Sequence, residues 1–166
     1  MNIQDFSSRY QVRLLTEQDV EDIFALCSGN PLYYRHCPPF VTRDSVRQDM
    51  KALPPHKTLA DKYYLGFFDG EQLAAVMDLI AAYPNPQTAF IGFFMMKQEL
   101  QGRGVGTGII SELCDSLRRQ QVQAVRLCWV SGNPQSEAFW HKNGFMETGV
   151  SSDRGDYTVV VAERLL

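Results

Sequence analysis

The feature that most constrains this chain lies within residues 90–117. An apolar run leads into the glycine-rich segment 101–108, and the spacing of apolar residues after it predicts an amphipathic helix. A strand that passes through such a turn into a helix presents several unpaired backbone N–H groups at the positive end of the helix dipole. Such a turn is a site for phosphate. The sequence therefore predicts a protein that binds an anionic ligand, with pyrophosphate as the expected group.

Glycine spacing distinguishes the kinds of phosphate loop. A nucleoside-triphosphate loop places Lys directly after its second conserved glycine, and no Lys follows the glycines here. A dinucleotide fingerprint would require glycine at Thr107 or at Ile109. The pattern that fits is Gln-x-x-Gly-x-Gly, at Gln101, Gly104 and Gly106. This pattern resembles the acyl-CoA motif of the GNAT (Gcn5-related) N-acetyltransferases.

A second motif follows in the same order as in that family. Residues 124–130 form an apolar run, Ser-Gly-Asn-Pro comes next at 131–134, and a short helix is predicted to end in the segment 139–145, Phe-Trp-His-Lys-Asn-Gly-Phe. These segments resemble the Asn after the fifth strand of a GNAT domain and the helix that closes on a Gly-Phe pair. The two motifs together make the resemblance specific, and it covers most of the chain.

The residue pattern predicts a single α/β domain over residues 1–166 with the order β-α-α-β-β-β-α-β-α-β-β. Asp69-Gly70 indicates a hairpin between two early strands, and the proline-rich segment 30–40 is interpreted as an irregular loop. The resemblance implies a GNAT-like fold, with a mixed, largely antiparallel central sheet flanked by helices.

Composition limits the class of protein. The chain is 45% hydrophobic and 21% charged, as in ordinary globular domains. A net charge of −3 gives no reason to expect nucleic acid or acidic lipid as a partner. No apolar run approaches the roughly 20 residues of a membrane span, so a cytoplasmic protein is expected. The four cysteines lack C-x-x-C spacing and predict buried thiols rather than a metal site. The sequence is compatible with a homodimer.

The resemblance implies acetyl-CoA as the acyl-donor co-substrate. The glycine loop would hold its pyrophosphate, the strand before the loop would pair with the pantetheine arm, and a backbone N–H near Met96 would face the thioester oxygen. Asn133 has two interpretations, an N-cap followed by proline or a hydrogen-bond donor to the cofactor arm. The expected cofactor-binding residues are Phe94, Met95, Met96, Gln101, Gly102, Arg103, Gly104, Val105, Gly106, Thr107, Gly108, Asn133 and Trp140.

The proton-transfer residues depart from the family pattern. Many relatives carry Tyr five residues before the closing Phe, where this chain has Trp140. An indole N–H donates a hydrogen bond but is not a usable acid. Trp140 would therefore wall the thioester site or donate weakly to sulfur. The leaving thiolate would be protonated by solvent or by another residue such as Tyr33 or Tyr34.

The sequence leaves four candidates for the general base, three side chains and water. Asp78 lies in an otherwise apolar predicted strand, as a catalytic base or as a paired structural acid. Glu137 and His141 are the other candidates, and an ordered water chain could also deprotonate the amine. Tyr33, Tyr34, Arg35 and His36 would either line an acceptor pocket or pack on the edge of the domain.

The function expected from these motifs is an acetyl-CoA-dependent N-acetyltransferase. It would move the acetyl group directly from the thioester to a primary amine of a small molecule, peptide or protein. The alternative is a non-catalytic acyl-CoA-binding or sensing domain on the same scaffold.

Overall fold

A computed structural model describes residues 1–166, which form a seven-stranded sheet with helices on both faces. The strands are β1 (Gln11–Leu14), β2 (Lys62–Asp69), β3 (Gln72–Ile80), β4 (Thr88–Met96), β5 (Ala124–Val130), β6 (Met146–Asp153) and β7 (Thr158–Leu165). The helices are α1 (Val20–Ser28), α2 (Pro31–His36), α3 (Arg43–Asp49), α4 (Val105–Arg119) and α5 (Pro134–Lys142). This architecture confirms the predicted fold class.

The sheet has the order β1-β2-β3-β4-β5-β7-β6. All neighbouring strands are antiparallel except β4 and β5, which are parallel. Parallel neighbours need a crossover connection, and α4 supplies it. The glycine-rich segment lies where β4 gives way to α4, so the topology places the predicted phosphate loop beside the only parallel pair of strands.

Each face of the sheet carries its own core. On one face α4 buries an apolar stripe that includes Ile109, Leu113 and Leu117, together with Trp140 and Phe145 from the segment around α5. The opposite face is covered by α1 and α3, whose buried residues pack against the other side chains of β2, β3 and β4. Residues on the two sides of one strand therefore belong to different halves of the molecule.

The segment 30–40 differs from the sequence interpretation. It contains the six-residue helix α2, which begins at Pro31, so the prediction of an irregular loop throughout was wrong there. Proline suits this position because the first residue of a helix needs no N–H partner. No helix of the chain has both the length and the apolar character that a bilayer span requires.

Candidate active site

A cleft opens where β4 and β5 separate. The two strands pair in register only from Thr88 opposite Ala124 to Ile91 opposite Leu127. Beyond that point β4 continues to Met96 without a partner on its β5 side. The resulting cavity has a volume of about 760 Å³ and is bounded by the glycine loop and by α5. This volume is that of a typical site for a small molecule or cofactor.

The free edge of β4 presents backbone groups to the cleft. The N–H of Lys97 donates to the carbonyl of Ala74 on β3 at 2.9 Å. Hydrogen-bonding direction alternates along an antiparallel strand, so the N–H and C=O groups of Phe94 and Met96 point away from β3. Those of Met95 point toward β3, and Met95 reaches the cleft only as a lining residue. Phe94 thus offers both of its backbone groups, and Met96 its N–H, as the strand edge that the resemblance implied for an extended ligand. The carbonyl of Met96 already accepts two side-chain amides.

The glycine loop has the conformation of an anion site. Gly102 and Gly104 have φ values of 72° and 78°, a region that side chains rarely adopt. None of the backbone N–H groups of residues 102–107 donates a hydrogen bond within the chain, and the first helical bond here runs from Gly108 to Gly104 at 3.0 Å. Gly102, Gly104, Gly106 and Thr107 line the cleft. A run of unpaired amides at a helix N-terminus is a site for phosphate groups.

Gly106 allows the loop to lie against the strand. A Cβ atom built there would be 2.6 Å from Sδ of Met96 and 3.1 Å from the ring of Phe139. Gly108, in contrast, has open space around it and is not among the cleft-lining residues. Only some of the predicted loop glycines are therefore required by packing.

Two side-chain amides, one buried and one half-buried, tie the loop to the rest of the fold. The Nε2 of Gln101 donates to Oδ1 of Asn30 at 2.5 Å and to the carbonyl of Met96 at 3.2 Å. The Nδ2 of Asn30 donates to the carbonyls of Leu26 at 2.9 Å and Met96 at 3.0 Å. Asn30 was not predicted as a site residue, since its partners are far away in sequence. Its polar side chain at the end of the apolar helix α1 was the available signal.

Asn133 lies at the N-terminus of α5, as predicted. Its Oδ1 accepts the N–H of Ser136 at 3.2 Å, so the side chain caps the helix. The residue is 5% exposed and lines the cleft. Since the cap uses only the oxygen, the amide nitrogen is left for another partner. The geometry therefore accommodates both of the predicted roles.

Trp140 forms part of the cleft wall. Its ring packs against Phe139, Phe145 and Phe94, with centroid distances of 4.9, 5.2 and 6.1 Å. The residue is 7% exposed. The side chain that replaces the usual tyrosine is thus built into an aromatic cluster at the strand opening.

Asp78 lies in a buried ion pair outside the cleft lining. Its Oδ2 is 2.7 Å from Nζ of Lys62, and the two side chains are 14% and 2% exposed. Lys62 also donates to the carbonyl of Ala52 at 2.9 Å. Burial raises the pKa of Asp78, and Lys62 opposes that rise. The carboxylate packs over Gly92, where a Cβ atom would be 2.8 Å from Oδ2.

The two tyrosines of α2 have different surroundings. Tyr33 lines the cleft and meets the ring of Phe93 edge-on at 5.8 Å. Burial raises the pKa of Tyr33 well above its usual value, with Cys37 as a further cause. Tyr34 instead packs on Phe40 at 5.0 Å and is not among the cleft-lining residues. Arg35 and His36 also lie outside the cleft lining.

The remaining base candidates lie on the outer side of α5. The ring of His141 meets Trp129 edge-on at 5.2 Å, and its Nε2 is 4.0 Å from Oε1 of Glu147. Glu137 is close to both of these side chains. Neither Glu137 nor His141 lines the cleft.

The half of the cleft that faces α1–α3 contains residues that the sequence analysis missed. Cys37, Cys128, Arg154 and Tyr157 line it together with Tyr33. Arg154 and Tyr157 belong to the turn between β6 and β7, which the sequence analysis did not single out. Across the whole lining there is no Asp, Glu or His.

The comparison with known families identifies this architecture. A sequence model of the Acetyltransferase (GNAT) family matches residues 23–145. The chain belongs to the GNAT acetyltransferase family. The match includes both predicted motifs, so the resemblance drawn from them is confirmed.

Solved structures share the fold of this GNAT domain. An acetyltransferase from Thermus thermophilus superposes with a TM-score of 0.75 at 20% identity, covering 93% of this chain and 96% of that one. PaiA N-acetyltransferase from Thermoplasma acidophilum, solved in complex with coenzyme A, superposes with a TM-score of 0.68 at 18% identity, covering 93% of this chain and 98% of that one. The ribosomal-protein-S18-alanine N-acetyltransferase of Escherichia coli superposes with a TM-score of 0.63 at 14% identity, covering 93% of this chain and 92% of that one. A search of curated proteins gives no match.

Residues of this GNAT domain fit a diphosphate attached to an extended arm. The unpaired amides of residues 102–107 suit the phosphates, and the free edge of β4 suits the arm. Asn133 lines the same cleft, and its helix cap leaves the amide nitrogen without a partner in the chain. Arg103 is exposed and is not among the lining residues, and Val105 is half-buried beside the core.

Proposed function

We propose that this protein is an acetyl-CoA-dependent N-acetyltransferase that acts on a primary amine by direct transfer. The observation that carries the proposal is the run of unpaired amides at residues 102–107, which ends a cleft formed by a free strand edge. In the reaction a neutral amine attacks the thioester carbonyl, so a C–N bond forms and the C–S bond breaks.

The residues have separate tasks in this proposal. The amides of the glycine loop bind the pyrophosphate, and the backbone of Phe94 and Met96 orients the arm. An N–H of this free edge donates to the oxygen that gains negative charge. Trp140 and its aromatic neighbours exclude water from the thioester. We assign Asp78 to the ion pair with Lys62 rather than to proton transfer.

Proton transfer relies on few groups. Tyr33 is the predicted acid candidate that the cleft contains, but burial raises its pKa, so its hydroxyl is a hydrogen-bond donor and a poor acid. The leaving thiolate therefore takes its proton from water. The cleft lining offers no carboxylate or imidazole as a base, so the amine loses its proton to water.

That same lining supports a second candidate function. A domain that binds acyl-CoA without catalysis needs the loop and the strand edge but no acid or base. Thiol release from acetyl-CoA, measured with a broad panel of primary amines, separates the two functions. We expect amine-dependent release with an N-acetylated product. Saturable acetyl-CoA binding without turnover on any amine would contradict catalysis and support the binding domain.

A further inference from the structure

A cation without an acidic partner lies at the mouth of the cleft, on the side of α1–α3. Arg154 is exposed, lines the cleft and belongs to the turn between β6 and β7. It forms none of the ion pairs of the chain. Its neighbour Asp153 accepts the N–H of Gly155 at 2.8 Å instead. The positive charge of Arg154 is therefore available to a ligand.

The backbone of this turn keeps Arg154 next to a tyrosine. The N–H of Arg154 donates to the carbonyl of Tyr157 at 2.8 Å, which closes the turn. Burial raises the pKa of the Cys128 thiol on β5, and the Arg154 guanidinium opposes that rise. Arg154 and Cys128 line the same cleft, from the turn and from β5 respectively.

Two hydroxyl groups complete this corner. Tyr33 and Tyr157 both line the cleft together with Cys37. Cys37 contributes to the raised pKa of each hydroxyl, after burial in the case of Tyr33. A hydrogen bond with Cys37 is the first cause that raises the pKa of Tyr157, to about 12. Both hydroxyls are therefore protonated at neutral pH and can donate. A guanidinium with two hydroxyl donors is suited to bind a carboxylate.

The charge of the rest of the lining supports the same ligand. The only other charged lining residue is Lys142, and the lining contains no carboxylate. A second ammonium group on the acceptor would have no carboxylate of the lining to pair with, whereas a carboxylate could pair with Arg154. Arg154 belongs to the turn between β6 and β7, whereas the glycine loop leads from β4 into α4.

We propose that Arg154, with the hydroxyls of Tyr33 and Tyr157, selects an acceptor that carries a carboxylate close to its amine. Amino acids with a free carboxyl group form this chemical class. The inference rests on the proposed function and adds the substrate class to it. Arg154 acts here in substrate binding and takes no part in proton transfer.

Matched acceptor pairs test the inference. A panel of free α-, β- and γ-amino acids is compared with the corresponding primary amides, which keep the amine and lose the negative charge. Thiol release is measured at pH 9 and corrected for the fraction of neutral amine. We expect kcat/KM to be at least about tenfold higher for the best acid than for its amide, since a charge-assisted hydrogen bond contributes that much.

Variants locate the effect at Arg154. Arg154→Gln should raise KM for the acid about tenfold or more, with kcat little changed and with the amide unaffected within about twofold. Arg154→Lys should recover part of the loss, because it keeps the charge but not the planar fork. Arg119→Gln is the matched control, since Arg119 is exposed on α4 and outside the cleft. It should behave as the parent protein.

The outcomes are distinct. Three results would overturn the inference but leave the proposed transferase activity intact. They are equal kcat/KM for acids and amides, a preference for polyamines or peptide amides, and an equal loss of kcat/KM for both members of a pair in Arg154→Gln. Absence of thiol release with every amine would overturn the proposed function, and the inference with it.

Discussion

Asp78 shows how a residue that looks catalytic in the sequence acquires a structural task. A lone carboxylate in an apolar strand must find a partner, because burying an isolated charge is costly. Lys62, at the start of β2, provides that partner at 2.7 Å, and its side chain is nearly inaccessible. The pair therefore stabilises the face of the sheet that α3 covers, close to the bulge of β4 at Gly92.

Asp78→Asn should destabilise the protein with little effect on turnover. Removing one partner of a buried pair leaves Lys62 uncompensated, which costs about 3 kcal/mol. Chemical denaturation measures the free energy of unfolding, and thiol release per folded molecule should stay within about threefold of the parent. The double variant Asp78→Leu with Lys62→Met is the control and should recover most of the stability. A loss of turnover of a hundredfold or more in folded Asp78→Asn would identify Asp78 as a base instead.

Trp140→Phe tests whether the indole N–H matters. The ring lies among three phenylalanines, and Phe keeps most of that apolar contact. We expect kcat to remain within about threefold and stability to fall by about 1–2 kcal/mol from the lost volume. Stopped-flow thiol release and thermal unfolding measure the two effects. A hundredfold lower kcat with intact folding would show that the indole donates to the sulfur.

At the scale of secondary-structure elements, the separation of β4 from β5 creates the site. An exposed strand edge can pair with a strand of another chain. The edge of β4 is protected from such pairing because it lies in a cleft bounded by α5 and the glycine loop. Asn30 and Gln101 fasten that loop to α1 and to the end of β4. The site is therefore positioned by hydrogen bonds between three elements as well as by the loop itself.

Asn30→Ala should weaken coenzyme A binding from outside the glycine loop. The variant removes two donated bonds and the acceptor of Gln101, which should cost about 2 kcal/mol of stability. The released loop must be ordered again on binding, so affinity should fall about tenfold. Asn143→Ala is the control, because its Nδ2 donates to the carbonyl of Phe139 at 2.7 Å outside the cleft. Equal affinities of the two variants, measured by calorimetry, would contradict a role of Asn30 in loop order.

Local features of the sequence predicted local features of the fold. The glycines predicted the turn for two reasons. Gly102 and Gly104 have left-handed backbone conformations, and Gly106 has no room for a Cβ atom beside Met96. Asn30 could not be predicted in the same way, since its contact with Gln101 joins residues 71 positions apart. The ion pair of Asp78 and the corner at Arg154 likewise depend on which strands become neighbours. Helix α2 was missed because the three prolines and two tyrosines of segment 30–40 also suit a loop.

On the scale of the whole molecule, the sheet divides the cleft into two chemically different halves. The glycine loop, α5 and the aromatic cluster face the core of α4, whereas Tyr33, Cys128, Arg154 and Tyr157 lie on the side of α1–α3. Because β4 and β5 separate, the cleft passes between the two strands and connects its two halves. A donor held on one side can thus meet an acceptor from the other.

The pH dependence of the reaction should follow the acceptor rather than the protein. The pKa values of Tyr33, Tyr157 and Cys128 are all raised, so none of these groups loses its proton near neutral pH. Because only the neutral amine attacks, kcat/KM should rise about tenfold per pH unit and level off near the amine pKa, about 8 for the N-terminal amine of a peptide and about 10 for a lysine-type amine. Rate profiles for acceptors of different pKa check this. A break near pH 6–7 that is the same for all acceptors would indicate a base in the protein.

Calorimetric titration with coenzyme A tests the central claim most directly, namely that the amides of residues 102–107 bind the pyrophosphate. The parent protein should bind with saturable heat, and Thr107→Glu should weaken binding at least about tenfold, because it places a carboxylate in the cleft-lining first turn of α4. Ser111→Glu, with the same charge on an exposed residue one turn further, should bind nearly as the parent does. No heat with folded parent protein, or equal affinity for Thr107→Glu, would contradict the account.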